Sequence, residues 1–204
     1  PDAAGRHDDG TEPSGRGRWV MKVTDDNVER LYEAAKSGHW GEVLAAFADD
    51  RQLAGRCSRY AKPSSGWTFL HQAAFFGDEG AVRALIKLGA SLTKKSNDGE
   101  TPVGVAKKKG HVELSKLMQT AAESGTHLWE PSPDPELLPS SSAWDEGVER
   151  HAARGMKVAY GGGVVEIRAG GRYFVDSFER VLVGWHGSYN PPCGMDTEPM
   201  IRRR

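Results

Sequence analysis

The stretch "GWHGSYNPPCGMD", Gly184 to Asp196, brings His186, Cys193 and Asp196 within thirteen residues, beside Trp185, Tyr189 and a Pro-Pro pair. A thiol, an imidazole base and a carboxylate to orient the base are what nucleophilic cysteine chemistry needs. The same three side chains are metal-ligand types. A site needs three or four ligands, however, and this spacing matches no zinc module. The glycines and Pro191–Pro192 also suit a stiff closing turn. Three readings stand for the segment. A structural or ligand-recognition loop is favoured by the turn chemistry; thiol catalysis and a metal site are the alternatives. Neither catalytic residues nor a bound metal or cofactor are therefore expected, with His186, Cys193 and Asp196 kept as the catalytic candidates.

Chemistry of that kind needs a scaffold, and 204 residues suit one large or two modest domains. Hydrophobic residues make up 38% of the chain, enough for a real core, and the formal net charge is −1. No overall field then draws the chain to nucleic acid or to an anionic membrane, so neither partner is expected. No stretch approaches the roughly 20 apolar residues of a membrane span. Cys57 and Cys193 are the two cysteines. They build no disulfide framework, which favours a reducing compartment, cytoplasmic or nuclear. Residues 1–23 are dominated by Gly, Asp, Arg and Pro and read as disordered.

From Asp25 the pattern turns helical. Val28, Leu31, Ala34 and Ala35 make one apolar stripe, and Trp40, Val43, Leu44 and Phe47 a second, with a break at "SGH". A repeat follows. Gly66 and Gly99, Thr68 and Thr101, Ala73 and Ala106, Gly77 and Gly110, and Leu85 and Met118 are each 33 residues apart. The first hairpin fits with a longer spacing of 39, Ala34 to Ala73 and Gly38 to Gly77, and the surplus falls in 49–65, read as a polar loop.

These residues resemble the ankyrin repeat. Gly66, Thr68, Leu70, His71, Ala73, Ala74 and Gly77 meet its G-x-T-P-L-H-x-A-A-x-x-G signature, with Phe69 in place of the proline. Gly99, Thr101, Pro102, Ala106 and Gly110 repeat it, with Gly104 where the histidine stands. The resemblance covers 24–123 and implies about three stacked hairpins, each unable to bury its own stripe. It implies that His71 is structural, bonding the loop of a neighbouring repeat. It also implies a protein partner bound at the hairpin tips and the row of first helices. The corresponding positions are Ser64, Ser65, Trp67, Phe75 and Phe76, then Asn97, Asp98, Glu100, Lys108 and Lys109. The rings of Trp67, Phe75 and Phe76 would be anchors there, unless this chain's own later residues cover them. The lysine runs 94–95 and 107–109 read as a solvated face, and Cys57, between Arg56 and Arg59, as a surface or half-buried thiol.

Residues 124–154 read as a partly packed connector, rich in Pro and Ser yet carrying Leu128, Trp129, Leu137, Leu138 and Trp144, with a short helix over 145–153. After Gly155 the period becomes two. Strands are expected at 157–160, 164–168, 172–176 and 180–185, as a small antiparallel meander or barrel over 155–204. The fold class is thus α+β: a short helical solenoid, a connector and a small β module. The function expected is that of a non-enzymatic adaptor. The alternative makes the β module a small thiol-dependent enzyme recruited by the repeats. A further variant is a ligand cage from Trp185, Tyr189 and either Tyr173 or Phe174, which alternation sends to opposite faces.

Overall fold

A computed structural model of the chain describes residues 16–124, 132–161, 163–184, 187–191 and 193, with side chains described from residue 26. Among the described residues seven helices come first: α1 (Arg16–Lys36), α2 (Trp40–Asp49), α3 (Arg51–Arg59), α4 (Phe69–Phe76), α5 (Glu79–Lys87), α6 (Pro102–Lys108) and α7 (Val112–Ser124). Seven short strands follow: β1 (Leu137–Leu138), β2 (Ser140–Ser141), β3 (Val148–His151), β4 (Met156–Tyr160), β5 (Gly163–Ile167), β6 (Arg172–Val175) and β7 (Val181–Leu182).

The hairpins α1–α2, α4–α5 and α6–α7 are the three expected units. Thr68 and Thr101 cap the N-termini of α4 and α6, their hydroxyls accepting the N–H groups of His71 and Gly104. Gly77 and Gly110 turn each pair with φ of 73° and 83°, left-handed values that a side chain would resist. Ala73, Ala74 and Ala106 are fully buried, which lets α4 and α6 approach closely. Phe69, the departure from the repeat signature, is the hub of an aromatic cluster. Its ring lies 5.3 Å from Tyr32, 6.1 Å from Phe47 and 6.2 Å from Tyr60. A proline there would leave that space empty.

Two helical expectations change. The helix α1 begins at Arg16, upstream of Asp25 and within the stretch read as disordered. Residues 49–65 hold α3 rather than only a polar loop. Asp50 caps it by accepting the N–H groups of Gln52 and Leu53, and Ala54 and Cys57 turn into the core. One apolar residue per turn among arginines was too sparse a stripe to announce a helix. Cys57 is consequently buried, and burial pushes its thiol up to about 12. The adjacent arginines do not activate it.

The β module is two small mixed sheets rather than one antiparallel meander, with strand orders β1-β4-β5 and β2-β7-β6-β3. The hairpin β4–β5 is antiparallel as expected. However, β6 leaves β5 and pairs with β3. The segment 145–153, expected to be a helix, is a 3-10 turn at Trp144–Glu146 followed by β3. The connector itself supplies β1 and β2, which run parallel to β4 and β7. Strands of two residues have too short a run for any period to show.

Candidate functional site

The row of first helices carries the aromatic group. Trp67 lies 5.6 Å from the His71 ring and 6.0 Å from Phe75, and Phe75 lies 5.2 Å from Phe76 in an edge-to-face pair. Lys109 sets its ammonium 4.0 Å from the Phe75 ring centroid, a cation–π contact. Trp67 and Phe75 are half-buried, whereas Phe76 is 41% exposed and rests against Gly38. The expected tip residues gather beside them. Lys108 pairs with Glu100 at 2.7 Å, and the Asn97 amide donates to the Ser64 carbonyl at 3.2 Å. Asp98 is exposed, and Ser65 accepts the Trp67 N–H.

A buried histidine fixes this face. The Nε2–H of His71 donates to the Glu100 carbonyl at 3.0 Å, joining one repeat to the next. That assigns its Nδ1 as the acceptor from the Thr68 N–H and hydroxyl. Burial lowers its pKa, outweighing the upward pull of the Glu100 carbonyl, so the ring stays neutral. A second histidine does the same on the next hairpin. The Nε2–H of His111 donates to the Phe75 carbonyl at 3.2 Å, beneath the aromatic pair. The repeat alignment had no place for that role, since His111 lies in a turn.

The connector and β module lie against the other side, the row of second helices. Arg59 clamps the connector, donating to the carbonyls of Ser132, Leu137 and Leu88 at 2.7, 2.9 and 3.0 Å. Gly55 faces the Pro135 carbonyl so closely that a Cβ would collide with it. Phe178, in the β6–β7 turn, is 5% exposed and joins the helical core. Arg180 pairs with Asp176 at 2.7 Å and donates to the Ala121 carbonyl and the Ser124 hydroxyl, satisfying the C-terminus of α7. Among the described residues, then, the β module leaves Phe76 and its neighbours uncovered.

Of the C-terminal candidates, Cys193 is an exposed free thiol, while Trp185, His186 and Asp196 lie outside the described residues. Leu128 and Trp129 also lie outside them. Tyr173 and Phe174 do face opposite ways. Tyr173 packs against the cluster of Ala152, Val158, Ile167, Val181 and Val183, and Phe174 lies 6.0 Å from Trp144. Among the described residues no group of three metal-ligand side chains occurs, and no helix is long and apolar enough to cross a membrane.

Two comparisons bear on this arrangement. The chain is similar to the E3 ubiquitin-protein ligase Ufd4 of Drosophila melanogaster, with 30% identity over 147 residues. That match takes in 57% of this chain and only 5% of the ligase. Residues 70–119 match the family model for ankyrin repeats (many copies), and the N-terminal half of this chain is an ankyrin-repeat stack.

Proposed function

We propose that the chain is a non-enzymatic protein-interaction module, an adaptor that holds a partner against the first-helix row. The observation that carries this is the aromatic group of Trp67, Phe75 and Phe76, ringed by Lys108, Lys109, Asn97 and Glu100. An exposed ring backed by two half-buried ones is the form a binding anchor takes. The lysines give such a surface a preference for acidic partners. The β module serves to seal the stack from behind. Similarity to a ubiquitin ligase favours one version of this role, in which the held protein is a substrate to be modified by a larger assembly.

The test compares affinity capture by the wild-type chain with capture by Phe76→Ala combined with Lys109→Glu. Both side chains are exposed, so circular dichroism is expected to match. Loss of a hot-spot ring costs about 2 kcal/mol, roughly 30-fold in affinity. A specific partner should therefore drop out of the variant's profile. If every wild-type partner is retained at equal strength, the first-helix row is not the binding face.

A further inference from the structure

A cleft separates the second-helix row from the β module. It has two chambers, of ≈ 560 and ≈ 440 Å³, and Arg51, Arg154 and Met156 line both. The larger chamber is floored by Phe47 and Leu88 on the helical side and by Leu138, Met156 and Val181 on the other. Packed interiors leave few voids larger than a water molecule. An apolar-floored cleft of this volume is within the range of ligand sites.

The waist of the cleft carries two guanidinium groups. Arg51 is half-buried and Arg154 exposed, and among the described residues neither makes an ion pair or side-chain hydrogen bond. Arg51 opens α3, where the helix dipole favours negative charge and disfavours a guanidinium. Burial and then the charge of Arg154 depress its pKa, against a smaller opposite pull from Tyr173. Two guanidinium groups therefore converge at one place, while the N-terminus of α3 is already capped by the Asp50 carboxylate. Glu179 lines the larger chamber and is held by Arg150 at 2.8 Å. Glu136 and Glu166 line the smaller one, where Glu136 accepts from Gln52 at 2.8 Å and Glu166 stands opposite Lys157 in the β4–β5 pair. Lys157 and Arg168 add positive charge to the smaller chamber.

We propose that this cleft binds an acidic peptide segment. A carboxylate would sit between Arg51 and Arg154, and a neighbouring aromatic or long aliphatic side chain in the chamber floored by Phe47, Leu88 and Val181. Planar guanidinium pairs match carboxylate geometry. The paired chambers meeting at a charged waist suit an extended chain better than a compact molecule. The site is on the opposite side of the stack from the aromatic face, so it stands whether or not that face binds a partner.

The probe is a fluorescein-labelled peptide of alternating Glu with Phe and Leu, titrated by fluorescence polarisation at low salt against a matched peptide with Lys for Glu. The wild-type chain should bind the acidic peptide alone, with affinity falling as salt rises. Arg51→Gln with Arg154→Gln should weaken binding about tenfold or more at an unchanged thermal midpoint, since neither side chain bonds to the described chain. Ala84→Trp, filling the larger chamber, should block it as well. Phe76→Ala with Lys109→Glu should leave it unchanged. The proposal is overturned if the wild-type chain shows no binding at about 1 mM peptide, if the double arginine variant keeps its affinity, or if the Phe76 variant alone weakens it.

Discussion

His71 shows how one side chain can serve both a fold and a surface. Its ring must be neutral to accept from Thr68 and donate to the Glu100 carbonyl at the same time. The ordinary histidine value is 6.5, and burial holds the folded value below it. As pH falls through that ordinary value, the unfolded chain takes up a proton before the folded chain does. This contribution to stability is therefore present above 6.5 and declines as pH drops toward the lower folded value. His71→Gln should cost about 1–3 kcal/mol near neutral pH through lost buried hydrogen bonds. It should also flatten the difference in urea midpoint between about pH 7.5 and about pH 5.5. Parallel pH profiles for variant and wild type would remove the neutral-ring assignment.

At the scale of elements, α3 is the piece that turns a repeat stack into a platform. It absorbs the surplus spacing between the first two units and presents Arg59 and Gly55 to the connector. Among the described residues, Arg59 makes five hydrogen bonds, two of them to connector carbonyls. Charge-assisted bonds of this kind hold about 1.5–3 kcal/mol each. Arg59→Ala should therefore raise amide hydrogen exchange across residues 132–138 by about tenfold or more while leaving exchange in α4 and α6 unaltered. Gly55→Ala should produce the same pattern by steric means. Unchanged protection of 132–138 in both variants would mean that β1 pairing with β4 holds the connector unaided.

For the whole molecule, the decisive contact is the β6–β7 turn. Phe178 completes the helical core, and the buried Asp176–Arg180 pair closes the end of α7. Burying two charges brings little net stability, but removing one partner strands the other and costs about 3–5 kcal/mol. Asp176→Asn should therefore split the thermal transition in two. The repeat stack would melt separately from the β module, which is too small to hold a large core of its own. A single transition, merely shifted, would show that Phe178 and the Arg59 contacts suffice to couple the halves.

The amino-acid sequence by itself determined the repeat. Period, caps, left-handed glycines and small buried alanines are local or near-local properties, and each hairpin repeats them, so Thr68, His71, Gly77 and Gly110 announced their roles. It also determined that aromatic side chains stand on the first-helix row. What it left open is non-local. The pairing of β6 with β3, the parallel pairs of β1 and β2, and the choice of Arg180 to close α7 join segments with no shared period. Only the tertiary structure could decide which side of the stack the β module covers. That choice rests on a few docking contacts, Phe178, Arg59 and Gly55 among them, whose meaning depends on what lies across from them. Among the described residues, the aromatic face is left uncovered and an arginine-waisted cleft is created for the same reason: the module packs against the second helices and not the first.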